Sequence, residues 1–164
     1  MKVSGRYRLS APREEVFAAI CDPAVLVAVL PGCEQIERVS ATEYRGLLTL
    51  RLPGIAGSWR TTVRLMETQA PELARMEGRV EGTMGTVTGR ADLVLRAVGD
   101  ATDLDYQGTG TIGGPLAGLD SRFVERLAES LIDQGLRTLD RRLAAGASHD
   151  TGPGGPQATT EGSG

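Results

Sequence analysis

Residues 43–112 read EYRGLLTLRLPGIAGSWRTTVRLMETQAPELARMEGRVEGTMGTVTGRADLVLRAVGDATDLDYQGTGTI, and their alternation decides the fold. Taken two at a time, one parity runs Tyr44, Gly46, Leu48, Leu50, Leu52, then Trp59, Thr61, Val63, Leu65, then Ala74, Met76, Gly78, Val80, Gly82. It continues as Val87, Gly89, Ala91, Leu93, Leu95, and then Leu104, Tyr106, Gly108, Gly110, Ile112. The other parity carries Arg45, Arg51, Arg60, Arg64, Arg75, Glu77, Arg79, Glu81, Arg90, Asp92, Arg96, Asp103 and Asp105. Successive strand side chains point to opposite faces, so this is a run of antiparallel strands with one dry and one wet face.

The dry parity is interrupted by glycine. A sheet that packs a solid core places a large side chain at nearly every inward position, because interiors are filled to crystal-like density. Gly46, Gly78, Gly82, Gly89, Gly108 and Gly110 all fall on the inward parity, with Ala74 and Ala91 among them. Single glycines mark bulges or relieve strain in a bent sheet. Several on one face describe a hollow walled by apolar side chains, the form of a small-molecule site.

The 164 residues suit one domain with a sizeable core. Hydrophobic residues make up 40% and charged residues 24%, with a net charge of -3, so bulk charge gives no case for nucleic acid. No run has the roughly 18 apolar residues of a membrane span, and Met1–Leu9 alternates like a strand rather than a signal peptide; a cytoplasmic protein is expected. Cys21, Cys33 and the single His149 form neither an expected disulfide nor a metal-ligand set. Without a base beside Ser or Cys, no nucleophilic arrangement is available. Asp103 and Asp105 share the wet parity and read as solvated. Ser130 and Gln134 are one helical turn apart and could hydrogen-bond a ligand carbonyl.

In chain order, Lys2–Leu9 is a first strand. Ser10 or Ala11 caps a helix with Pro12 in its first turn, and Asp22-Pro23 starts a second, largely apolar helix ended by Pro31-Gly32. Cys33–Val39 and Ala41–Leu52 are strands, and Pro53–Gly57 is a flexible turn exposing Ile55. Strands follow over Ser58–Glu67, Glu72–Gly82, Thr86–Val98 and Thr102–Ile112, and tight turns make them a meander. From Asp120 to Leu143 the apolar period becomes helical, with Asp120 or Ser121 as cap and Gly146 as stop. This helix is the expected cover of the dry face. Residues 1–146 form the domain, and 147–164, rich in Gly, Pro, Ser and Thr, a disordered tail.

Strand, two short helices, meander and long helix make a helix-grip arrangement, an α+β fold with a curved antiparallel sheet of about seven strands around the last helix. The chain resembles the polyketide-cyclase/START-like (SRPBCC) superfamily, and within it the CoxG family of carbon monoxide dehydrogenase proteins. The likeness rests on residues 11–17, Asp22-Pro23, the Leu30-Pro31-Gly32-Cys33-Glu34 turn, the glycine-rich strand over 82–91, and residues 113–122. It implies a non-catalytic accessory of a carbon monoxide dehydrogenase or related molybdenum hydroxylase that works at the inner face of the membrane. It also implies an apolar or amphipathic segment beyond a C-terminal linker; here nothing apolar follows Gly146.

The expected ligand is a non-covalently held lipophile, an isoprenoid quinone of the menaquinone type or another prenyl lipid, shuttled between membrane and dehydrogenase. Tyr44, Trp59, Tyr106 and Phe123 would bracket its ring. Leu48, Leu50, Val63, Met76, Val80, Val87, Leu93, Leu127 and Leu131 would line its chain. Two other functions stay open: a ligand-free assembly or membrane-recruitment factor using the arginine-rich wet face, and a cyclase-type enzyme with an acid or base inside the hollow.

Overall fold

The computed structural model describes residues 1–150. Its elements are β1 (Lys2–Leu9), α1 (Arg13–Ile20), α2 (Pro23–Val29), β2 (Cys33–Arg38), β3 (Glu43–Leu52), β4 (Ile55–Gln69), β5 (Leu73–Gly82), β6 (Gly85–Val98), β7 (Ala101–Gly113), a 3-10 turn (Gly114–Gly118) and α3 (Ser121–Asp150). The strands form one antiparallel sheet of seven in the order β1-β7-β6-β5-β4-β3-β2. It is a meander from β2 to β7 with β1 returning to close the far edge.

Local chemistry explains the helix starts. Asp22 accepts the Ala24 N–H at 2.9 Å and caps α2. Asp120 does the same for α3 through the Arg122 N–H, also at 2.9 Å. Pro12, expected inside the first turn of α1, is instead its N-cap residue, in an extended conformation and with no side-chain cap. Ser10 lies two residues before that cap position, and its N–H is held by Asp140.

Two boundaries depart from the sequence expectation by three residues or more. Ile55 is 5% exposed, not displayed on a flexible turn. Pro53 and Gly54 alone make the turn: Gly54 takes φ +83, Leu52 pairs with Ile55, and the inward parity runs unbroken through Gly57 to Trp59. At the other end α3 passes through Gly146 to Asp150. One glycine among alanines costs a helix only about 1 kcal/mol, too little to stop it. The rest of the expected tail lies outside the described residues.

Helix α3 lies along β1 and meets α2. Two of its carboxylates take outward-pointing N–H groups at the β1 edge: Glu125 accepts from Lys2 at 2.8 Å and Asp140 from Ser10 at 2.7 Å. An open sheet edge is thereby covered. Opposite Gly135, the space a Cβ would fill lies 3.5 Å from the Val29 carbonyl oxygen, so α2 approaches α3 closely.

The dry face supports two separate cores. One gathers Leu9, Val16, Val29, Leu95, Leu104, Tyr106 and Leu139. The other gathers Ile55, Trp59 and Leu116 with Leu48, Leu50, Val80, Val87 and Leu127 around them. On the wet face, arginines sit beside acids on neighbouring strands: Arg6 and Asp105 at 2.6 Å, Arg8 and Asp103 at 2.8 Å, Arg90 and Glu77 at 3.0 Å. Among the described residues no helix is long and apolar enough to cross a membrane.

Candidate functional site: an apolar hollow between two cores

The strand register turns the glycine pattern into geometry. Gly78 pairs with Gly89, and Gly89 with Gly110, so three neighbouring strands lack a side chain in one row, continued on β4 by Val63 and on β3 by Tyr44. The next row, Met76–Ala91–Gly108–Val3, is nearly as thin. On the other side comes Thr61–Val80–Val87–Ile112.

Over these rows lies an open hollow of about 210 Å³, lined by Val3, Val63, Met76, Val80, Val87 and Ala91 with Gly78, Gly89, Gly108 and Gly110 at its floor. It falls between the two cores. Not every inward glycine contributes. A Cβ on Gly82 would strike the Trp59 ring at 2.8 Å, and one on Gly5 the Tyr106 ring at 2.8 Å, so an aromatic side chain already fills those gaps. Material is missing only where neither a large side chain nor neighbouring backbone closes the space, as at Gly78.

Of the sequence-predicted lining, Val63, Met76, Val80 and Val87 wall the hollow. Leu48, Leu50, Trp59 and Leu127 pack in one core, Leu93 and Tyr106 in the other. Tyr44 is buried and fastened: its hydroxyl donates to the Cys21 carbonyl at 2.7 Å, and Arg38 lies over its ring at 5.5 Å. Phe123 is 36% exposed beside the Pro53-Gly54 turn. Leu131 is half-buried on α3 and belongs to neither core. Ala91, one of the small inward residues named from sequence, also borders the hollow, as do Val3, Met1, Arg90 and Thr109, which sequence reasoning does not assign to it.

Two other recesses are polar. The thinned sheet also leaves a depression of about 620 Å³ on its wet face, lined by Thr62, Thr88, Thr109 and Thr111 with Arg64, Arg79, Arg90 and Glu77. Its arginines are engaged: Arg90 with Glu77 at 3.0 Å, Arg64 with Glu43 at 3.7 Å, and Arg79 with Glu81. A slit between β1 and α3 holds Arg126, Glu129, Ser130 and Asp133. Ser130 faces that slit and accepts a long 3.4 Å bond from Gln134. Burial pushes the Tyr106 phenol up there, and the Glu129 and Asp133 carboxylates add to the effect.

The chemistry of the hollow is inert. Among the described residues it has no Asp, Glu, His or Cys in its walls, and no three metal-ligating side chains gather. Asp103 is on the wet face, where the bond from Arg8 holds its carboxyl below the usual range. Both cysteines are free, and burial pushes their thiols up. Two buried polar atoms lack a hydrogen-bond partner among the described residues, Trp59 Nε1 and Thr61 Oγ1.

A seven-stranded sheet bearing an apolar hollow and covered by a long terminal helix is a START-like, helix-grip fold. Residues 5–144 match the CoxG family of carbon monoxide dehydrogenase subunits, and the chain belongs to it. Similar solved structures include a conserved protein from Geobacillus kaustophilus, 21% identical with a TM-score of 0.84, over 88% of this chain and 96% of that one. A START superfamily protein from Mycobacterium smegmatis is 13% identical with a TM-score of 0.70, over 88% and 97%. The di-domain ARO/CYC BexL of the BE-7585A biosynthetic pathway is 16% identical with a TM-score of 0.64, over 93% of this chain and 48% of that one. At such identities the likeness is one of fold. No curated protein matches the sequence significantly. Family and fold suggest a ligand-binding, non-catalytic role, and the family's name ties its members to carbon monoxide dehydrogenase.

Proposed function

We propose that this protein carries a lipophilic ligand, an isoprenoid quinone of the menaquinone type, between the membrane and a carbon monoxide dehydrogenase or related molybdenum hydroxylase. The observation that carries this reading is the glycine row Gly78–Gly89–Gly110 flooring an apolar hollow. A soluble dehydrogenase whose electron acceptor dissolves in lipid needs a vehicle, and an unreactive greasy site is what a vehicle offers. An apolar cavity of about 150 Å³ suffices for a benzene ring, so some 210 Å³ is ring-sized. The prenyl chain would continue between the two cores under α3, which lies along β1 and against α2.

A cyclase-type enzyme would require an acid or base in those walls, and a docking factor would draw on the wet face, where the arginines lie against acids. Both are weaker readings of the same surfaces. Organic-solvent extraction of the protein purified from its native cells, followed by mass spectrometry, tests the proposal. A prenyl quinone near one per chain is expected; repeated absence of any prenyl lipid contradicts it.

A further inference from the structure

The geometry points to Trp59 and Thr61 as the pair that reads the ligand's head group, by donating hydrogen bonds to a carbonyl oxygen. This rests on the carrier reading and adds to it the residues that would hold the quinone's ring ketone.

Trp59 is 3% exposed, and its indole lies flat on Gly82. Thr61 follows two residues later on the same face of β4, about 7 Å along the strand. Thr61 pairs with Val80 and is separated from Val63 by one residue; both valines wall the hollow, and the Trp59 and Thr61 polar atoms lie buried directly behind that wall. Buried polar groups in folded proteins are paired in roughly nine cases out of ten. Here two unpaired ones, Trp59 Nε1 and Thr61 Oγ1, occur together where every other inward side chain is apolar. Core packing alone would place a phenylalanine and a valine at these positions.

The donor types define the partner. An indole N–H only donates, and a threonine hydroxyl can donate as well, so the complement of each is an acceptor. A carbonyl oxygen is one. A neutral partner fits, because the cations that border the hollow are engaged, Arg90 with Glu77 at 3.0 Å and the Met1 ammonium with the Gly110 carbonyl at 3.1 Å, while Arg60 and Arg64 of this strand occupy the wet parity.

The test compares 2-methyl-1,4-naphthoquinone with 2-methylnaphthalene, two probes of similar shape that differ in the oxygens, by equilibrium dialysis against the full chain. The wild type is expected to prefer the quinone by about tenfold, the weight of one net hydrogen bond. Thr61→Val and Trp59→Phe should each remove most of that preference, and Thr61→Ser should restore it. Trp59 is the single tryptophan, so its indole N–H gives one assignable NMR signal. That proton should shift downfield with the quinone and not with the hydrocarbon.

Equal binding of the two probes to the wild type, or a preference that survives in both Thr61→Val and Trp59→Phe, overturns the head-group assignment and leaves the carrier reading standing. Binding of neither probe overturns both.

Discussion

Gly78 of β5 stands directly opposite Gly89 of β6, yet the two glycines are not equivalent. A Cβ on Gly78 would meet nothing nearer than the Thr62 carbonyl oxygen at 3.7 Å and Val63 Cγ2 at 3.9 Å. A Cβ on Gly89 would fall 2.3 Å from the Thr109 carbonyl oxygen. One position has room for a side chain in the hollow; the other is closed by backbone.

The first prediction follows from that difference. Gly78→Val should fold as well as the wild type or better, by about 0.5–1 kcal/mol, because glycine is a costly strand residue. It should also block the hollow and abolish quinone binding. Gly89→Ala should lose stability, since the neighbouring backbone must shift. Thermal unfolding with ligand titration separates the two.

Removing the hydroxyl of Thr61 should stabilise the ligand-free protein. An unsatisfied buried polar group costs about 1–3 kcal/mol, and Thr61→Val relieves it at nearly constant volume. Thermal unfolding without ligand should show a higher midpoint for the variant, whereas a hydroxyl important to the fold would give a lower one.

Asp140→Ala should loosen one end of the helical cover. Its carboxylate accepts the Ser10 N–H at 2.7 Å, a bond worth about 1 kcal/mol, so the melting point should drop by a few degrees. Hydrogen exchange should accelerate at the Ser10 amide, while the strand amides of β4–β6 keep their protection.

Gly135 sets the distance between α2 and α3. Alanine there would touch the Val29 oxygen at 3.5 Å and Pro31 Cδ at 3.8 Å, both ordinary contacts, and should gain up to about 1 kcal/mol of helix propensity. Gly135→Leu should push the helices apart and lower the melting point. Differential scanning calorimetry of the two variants checks the opposite signs.

Acid should weaken the fold partly through Asp103. The Arg8 bond holds its folded pKa below the unfolded value of about 3.9, so the native state binds fewer protons across that interval. The contribution is complete above the unfolded value and fades as pH falls through the folded one. Asp103→Asn should therefore shrink the difference in urea midpoint between pH about 6 and about 3, and added salt should shrink it further.

Much of the fold was legible because strand parity and helical periodicity are direct consequences of backbone geometry. The inward run from Tyr44 to Ile112 needed no coordinates, and of the two caps open for the last helix, Asp120 or Ser121, the structure takes Asp120. What failed was local: Pro53-Gly54-Ile55-Ala56-Gly57 has the composition of a long turn with Ile55 inside it, but two residues close the turn and the rest join β4. Gly146 reads as a stop only if one glycine outweighs its alanine neighbours.

The candidate site was legible in outline. Parity identifies inward glycines but not which ring leans over them, so from sequence Gly82 is as empty as Gly78, whereas in the structure Trp59 lies on it. The same blindness placed Phe123 and Leu127 at the lining; their direction depends on where α3 rests along β1. Thr61 sat on the correct parity, and only the burial of its hydroxyl without a partner sets it apart.

The most direct measurement is equilibrium transfer of a menaquinone from vesicles of neutral phospholipid to the wild type and to Gly78→Val, read as lipid bound per chain. The carrier mechanism requires saturable uptake near one molecule per wild-type chain and almost none by the filled variant. Equal uptake by both proteins, or by neither, contradicts a ligand held over the glycine row.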